Sequence, residues 1–281
     1  MKRAICLVGA LSLSALVLGC ERDTLGYQPE PPDAGFPEPA DAGFPDPPMD
    51  AGFVDVGFPD SGVVTARDPI YVHTGSTLYS FDIETGQTTR IGDFHTSRGP
   101  VTDVSDIAID LNGRMFGGSV SKKIYVVHPD DATLDEKFSF EDKANGMAFL
   151  PDGNLVIAGT DVTVIDPDTG RTIRRLATSN EYETSGDIIG LPDGQLYWTV
   201  RGTNGSGDVL VRINPADGST RRLGASGVER IYGLGYADGV LVGFSSDGTV
   251  VHLDPQNGRS SGQDMLGERW WGATTNPVRW P

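Results

Sequence analysis

Ile165-Asp166-Pro167-Asp168-Thr169-Gly170 is a turn that this sequence writes five times. The other copies are Phe81-Asp82-Ile83-Glu84-Thr85-Gly86, Val127-His128-Pro129-Asp130-Asp131-Ala132, Ile213-Asn214-Pro215-Ala216-Asp217-Gly218 and Leu253-Asp254-Pro255-Gln256-Asn257-Gly258. From last residue to last residue the steps are 46, 38, 48 and 40. A period near forty, with short β-type runs on both sides of each turn, is the signature of propeller blades. Five copies predict an all-β, five-bladed β-propeller of four-stranded antiparallel blades.

A second repeated unit supports that reading. It runs Asp106 to Phe116, Gly146 to Val156, Asp187 to Tyr197 and Gly233 to Val242. Each copy holds two apolar runs around Asn112-Gly113, Asp152-Gly153, Asp193-Gly194 or Asp238-Gly239, and these pairs supply the φ > 0 residues of tight hairpins. Four copies of this unit against five of the first leave one blade split. Trp271 to Thr275 matches an innermost strand; Ile70–His73, Thr77–Phe81 and Thr88–Gly92 match the other three. Joining the chain ends in one blade closes the ring without free sheet edges. In a competing register, residues 62–65 form the innermost strand and the C-terminal strand is an extra.

The hairpin Asp193-Gly194-Gln195-Leu196-Tyr197 and the turn Ile165 to Gly170 resemble NHL, YVTN and gluconolactonase/regucalcin-like propeller repeats, over residues 62–281. These motifs are structural, so the resemblance implies a fold and not a chemistry. No position matches the lactonases' metal or catalytic residues.

The ends give an address. Lys2 and Arg3 precede an apolar run from Ile5 to Leu18, too short for a span of about 20 residues. It ends in Leu16-Val17-Leu18-Gly19-Cys20, which resembles a bacterial lipoprotein signal. That resemblance implies removal of residues 1–19 and acylation of Cys20, palmitate included, with attachment to a membrane through the lipid. Glu21 is not the Asp that marks inner-membrane retention in enterobacteria, so the outer membrane is the expected location. Residues 20–61 repeat Asp33-Ala34-Gly35-Phe36-Pro37, Asp41-Ala42-Gly43-Phe44-Pro45 and Asp50-Ala51-Gly52-Phe53, and read as a disordered acidic Pro/Gly-rich stalk. Residues 62–281 are the propeller.

Two cysteines, Cys6 and Cys20, occur in the whole chain. Neither belongs to the propeller, which therefore has no disulfide or thiolate metal site. The net charge is −17, which disfavours nucleic acid and anionic lipid as partners. The expected partners are an envelope protein or glycan, and no cofactor is implied.

Local motifs name no reaction. Gly258-Arg259-Ser260-Ser261-Gly262 fits the nucleophile-elbow pattern, but that motif needs a strand before it and a helix after it. Asp166-Pro167-Asp168 is too short for an EF-hand loop and reads as a capped turn. His73, His95, His128 and His252 lack metal-ligand spacing.

The stronger site argument is positional, because the innermost strands of a propeller start at the mouth of its central channel. Aligned there are Ser105/Asp106, Asn145/Gly146, Gly186/Asp187, Tyr232/Gly233 and Trp271/Gly272, preceded by Asp103, Lys143, Glu183, Arg230 and Arg269. Asp106, Asn145, Asp187, Tyr232, Trp271, Arg230 and Arg269 form the candidate ligand-binding set. Aromatic platforms beside hydrogen-bonding groups suit a sugar, and Asp106 with Asp187 could act as an acid/base pair. The bland alternative has Tyr232 and Trp271 plugging the channel. Three functions follow: a non-catalytic binding or scaffold module of the envelope, a carbohydrate-active hydrolase or lyase, and a surface adhesion or assembly factor.

Overall fold

A computed structural model describes residues 69–177 and 181–276. The expected signal peptide, lipidated Cys20 and stalk, and the competing innermost strand at 62–65, fall outside the described residues.

Twenty-two strands build five four-stranded sheets and one small hairpin. β1 (Ile70–His73), β2 (Thr77–Asp82) and β3 (Gln87–Asp93) begin blade 1. The hairpin β4 (His95–Thr96) and β5 (Gly99–Pro100) follows. Blade 2 is β6 (Val104–Ile109), β7 (Met115–Ser119), β8 (Lys123–Val127) and β9 (Leu134–Ser139). Blade 3 is β10 (Gly146–Phe149), β11 (Leu155–Ala158), β12 (Val162–Ile165) and β13 (Thr172–Ala177). Blade 4 is β14 (Thr184–Gly190), β15 (Leu196–Val200), β16 (Val209–Ile213) and β17 (Thr220–Ala225). Blade 5 is β18 (Ile231–Ala237), β19 (Val240–Ser245), β20 (Thr249–Leu253) and β21 (Ser260–Met265). β22 (Gly272–Thr274) returns to blade 1, pairing His73 with Gly272 and Tyr71 with Thr274. The chain is thus a five-bladed propeller, and its C-terminal strand closes the ring.

The repeated turns form for the reason their sequence suggests. In four of them a side-chain oxygen at the second position, on Asp82, Asp166, Asn214 or Asp254, accepts the backbone N–H two residues on. The turn then closes through a residue in the left-handed region, Gly86, Gly170, Gly218 or Gly258, where glycine has no Cβ to clash. In the second copy Ala132 takes that conformation, at φ 63°. The inner hairpins, which the Asn-Gly and Asp-Gly pairs predict to be equally tight, divide into two kinds. Asp238-Gly239 is a two-residue turn between paired Ala237 and Val240. The other three close over five residues, as between Ile109 and Met115, with Gly113, Gly153 and Gly194 at positive φ. In these three, the glycine N–H bonds back to the carbonyl of Asp110, Leu150 or Leu191, three residues earlier, and closes a β-turn within the loop.

Five apolar clusters form the core, and each lies between two neighbouring blades. The cluster that joins blade 5 to blade 1 packs Ile70, Val72 and Phe81 against Val242, Phe244 and the fully buried Trp270. Every blade therefore covers both of its faces, which is why the second and third strands are almost wholly buried while the outermost strands are polar.

Antiparallel pairing puts the first and third turns of every blade on one face of the disc, here the turn face. The innermost strands start on the opposite, mouth face.

Candidate functional site

The five innermost strands β6, β10, β14, β18 and β22 bring one edge each to the axis. An unpaired strand edge carries N–H groups that need acceptors, and burial without one costs about 1–3 kcal/mol each. Two side chains supply those acceptors. Asp106 accepts the backbone N–H of Ile107 and, through Oδ2 at 2.5 Å, that of Met147. Asp187 accepts from Ile188 at 2.6 Å, from Leu234 at 2.5 Å and from Ala273. The five donors come one from each innermost strand, each directly after the aligned positions Asp106, Gly146, Asp187, Gly233 and Gly272. The axis is therefore closed by a ring of five amides held on two carboxyl groups.

The glycines of the ring leave no room for more. A Cβ on Gly146 would lie 2.8 Å from the carbonyl oxygen of Gly186 and 2.9 Å from the nitrogen of Ile188. One on Gly233 would lie 2.9 Å from the Cβ of Ala273. One on Gly272 would collide with Oδ1 of Asp106 and Nε2 of His73. Neither of these two atoms, both fully buried, has a hydrogen-bond partner. Nδ1 of His73 lies 2.6 Å from the carbonyl of Thr74 and so carries the ring proton, which makes Nε2 an acceptor.

The electrostatics follow from the dryness of this centre. Burial raises both carboxyl groups well above the usual carboxylate range. On Asp106 the negative charge of Asp187 and a side-chain hydrogen bond to that carboxylate add to the effect, with fewer backbone donors to oppose it. On Asp187 the same bond, received from Asp106, and three backbone N–H groups pull the other way. Asp106 is therefore the member of the pair that holds a proton, and Oδ1 is its oxygen without an N–H partner. Burial lowers His73 to about 4, so its imidazole is neutral.

Asp106 and Asp187 thus do converge, but beneath the mouth rather than at it: both are 0% exposed. Ser105 is buried too, its hydroxyl 2.6 Å from the carbonyl of Ala144 in the next blade. Asn145 and Tyr232 are half-buried at the mouth, and Lys143, Glu183, Arg230 and Arg269 are exposed around it. Tyr232 covers Gly186, and the indole of Trp271 lies over Gly75 while remaining 38% exposed. The closure of the channel is made by carboxyl groups and backbone, not by the two aromatic rings. His73 is the member of this centre that sequence reasoning missed. It lies on the second strand of the split blade, outside the aligned positions, and faces the axis because it pairs with Gly272.

On the turn side of the ring the axis holds a cavity of about 20 Å³, lined among others by Ala108, Met147, Ile188, Ala273 and Thr275. That is room for one water. A larger cleft, of about 150 Å³, opens on the turn face between blades 3 and 4. Among the described residues no group of three or more His, Cys, Asp or Glu side chains is arranged to hold a metal ion, and no helix is long and apolar enough to cross a membrane.

No family model matches this chain, and no curated protein does. Solved structures do. A chain of a nidogen/laminin complex is 18% identical, with 76% of this chain and 82% of that chain covered and a TM-score of 0.54. A protein of unknown function from Bacteroides caccae is 14% identical, with 72% and 74% covered and a TM-score of 0.44. At these identities the likeness to the first extends to the fold alone: the chain has the architecture of a β-propeller, and its chemistry has to be read from its own residues.

Proposed function

We propose that this chain is a lipid-anchored envelope protein whose propeller is a non-catalytic binding or scaffold module. The observation that carries the reading is the sealed axis. The channel centre, where a propeller enzyme would keep its site, is filled by Asp106, Asp187, His73 and five backbone amides. Neither carboxyl group presents surface to a sugar, so this pair could not serve as the acid and base of a hydrolase or lyase. What remains for function is the outside of a rigid disc. The solved chain with the TM-score of 0.54 comes from a complex of two proteins, nidogen and laminin, which is in keeping with a propeller used as a docking surface.

The anchor rests on Lys2, Arg3, the apolar run and Cys20. Several acyl chains, at about 0.8 kcal/mol per buried methylene, would hold the protein firmly. The outer membrane is the proposed location, with the stalk of residues 20–61 setting the distance between lipid and disc. Adhesion or assembly at the surface is the same reading with the stalk on the outer side, and protease access to intact cells separates the two.

Two measurements test the proposal. Metabolic labelling with palmitate should mark the wild type and not Cys20→Ser, which should also leave the membrane fraction; label retained by the variant would sink the anchor. Asp106→Asn should leave every cellular role of the protein intact, whereas a loss of function in a normally folded variant would restore the enzyme reading.

A further inference from the structure

The two faces of the disc differ in charge. The turn face carries twelve carboxylates and three arginines in nine turns, at residues 82–86, 110–114, 128–132, 150–154, 166–171, 191–195, 214–219, 237–240 and 254–259; of the twelve, Asp110 is buried against Arg114 and Asp168 is paired with Lys137. On the mouth face acids and bases are mixed, as at Lys143, Glu183, Arg201 and Arg230. Several turn-face acids are also held in their charged form. Backbone N–H donors at Thr169 and Asp168 keep Asp166 below the usual carboxylate range, and the Ser219 N–H does the same for Asp217.

A sizeable apolar cleft sits on this acidic face. Its walls are the side-by-side turns Leu150-Pro151 and Leu191-Pro192, with Phe149 at its base and Leu111 at its edge. Leu111 is 41% exposed, which leaves an apolar side chain standing beside an apolar hollow. A volume of about 150 Å³ in apolar surroundings takes one benzene-sized group. The turns are pinned by backbone bonds from Leu150 to Asn154 and from Leu191 to Gln195, so the hollow is preformed and binding would not have to order it. Asp152 and Asp193, one in each of the two turns, are exposed beside the cleft rather than in its lining.

We infer that the turn face of blades 3 and 4 docks a basic protein segment, one of whose aromatic or leucine side chains enters the cleft between Leu150-Pro151 and Leu191-Pro192. The inference rests on the binding-module reading and names its surface and the chemistry of its partner. The apolar anchor supplies affinity by leaving water, as the buried centre of an interface does. The surrounding carboxylates raise the encounter rate of a cationic partner and reject anionic ones. A nucleic acid or an anionic lipid is repelled by the same field.

The test uses the full chain and a fluorescein-labelled peptide of four lysines around one phenylalanine. Its twin carries alanine in place of phenylalanine. Anisotropy should show the phenylalanine peptide binding about tenfold more tightly than its twin. Leu111→Ala, which leaves a surface position, should remove most of that difference, and raising the salt should weaken both peptides. No binding, or equal binding of the two peptides, overturns the inference; so does an unchanged preference in the Leu111→Ala variant. A photo-crosslinking residue placed in intact cells at Leu111 or at Trp271 separates this inference from the reading it rests on. A protein adduct at Leu111 alone supports both. An adduct at Trp271 alone leaves the binding module standing and overturns the turn-face site. Adducts at neither position overturn both.

Discussion

The axis and the turn face use the same residue for the same purpose and shift its acidity in opposite directions. At both places an aspartate accepts backbone N–H groups that would otherwise lack partners. At the axis, Asp106 and Asp187 are out of contact with water, and burial raises both. In the turns, Asp131, Asp166 and Asp217 keep their water, and the same kind of donor lowers them. The hydrogen bonds favour the ionised form in both regions, so the difference is set by solvation. Aspartate at the axis is a packing element that holds a ring shut; aspartate on the turn face is a charge on display.

The contrast can be broken most directly at two glycines. Gly272→Ala would drive a Cβ into Asp106 Oδ1 and His73 Nε2, neither of which can move away in a filled axis. The expected loss is about 3 kcal/mol or more by urea unfolding. Gly153→Ala, in a turn, meets nothing within 4 Å and suffers only its positive φ of 85°, worth about 1–2 kcal/mol. If the turn variant proved the worse of the two, the axis would be roomier than described.

The two axial acids should also differ from each other. Asp187→Asn keeps one acceptor oxygen and turns an NH₂ group toward a backbone N–H, where three donors now converge. About 2–3 kcal/mol should be lost. Asp106→Asn keeps an oxygen for Met147 and presents its NH₂ on the side of the acceptor Nε2 of His73. At neutral pH it should cost under about 1 kcal/mol. Equal losses in the two variants would refute the division of donors between them.

Much of this architecture is legible in the residues alone. The Asp-Pro-Asp-Thr-Gly turns and their spacing set the blade count, because turn chemistry is local and survives in each copy. The split blade follows from counting one strand too few, and Gly272–Thr274 beside Ile70–His73 agrees with it. The alignment of Asp106, Gly146, Asp187, Gly233 and Gly272 finds the five positions that meet at the axis. Exposure is not legible, since it depends on how closely five strand edges approach, a distance that no single blade encodes. Three glycines among the five aligned positions are the available signal that side chains have no room there. His73 carries no signal, because its orientation comes from pairing across the chain ends. Trp270 and Trp271 are neighbours on one strand approach, where alternation buries one and exposes the other; periodicity cannot say which. The hairpin of β4 and β5 is too short to leave a pattern.

The response to pH sharpens the contrast further, and the signs can be worked out. His73 titrates near 6.5 when unfolded and at about 4 when folded. Between those values the unfolded chain takes up a proton that the native one refuses, so stability falls as the pH is lowered from 6.5 to 4. For Asp106 the folded value lies above the unfolded 3.8. Its contribution is complete below 3.8 and is lost as the pH rises toward the folded value, so in the same window stability rises as the pH is lowered. Asp187, also raised by burial, acts in the same sense as Asp106; the two acids oppose His73, and the wild type should show a shallow slope. Asp106→Asn removes one of the opposing acids. Its stability should fall more steeply than that of the wild type between pH 6.5 and 4. Parallel curves would mean that Asp106 does not hold a proton in the folded protein.

The smallest effect belongs to the turn face, and its pH dependence carries the opposite sign from that of Asp106. Asp166 accepts from Asp168 and Thr169, each at 2.9 Å, and is half-buried, with water still within reach. Asp166→Ala frees two N–H groups that water can reach, so the thermal midpoint should drop by only about 2–4 °C in a domain of this size. Because the folded value lies below the unfolded 3.8, the contribution is complete above 3.8 and disappears as the pH falls through the folded value. Wild type and variant should therefore melt apart at pH 7 and come closer together in strong acid. Melting curves that stay equally far apart at every pH would show that the carboxylate's charge is not what holds the turn. The contrast between axis and turn face would then be one of burial alone, without the reversed shift in acidity.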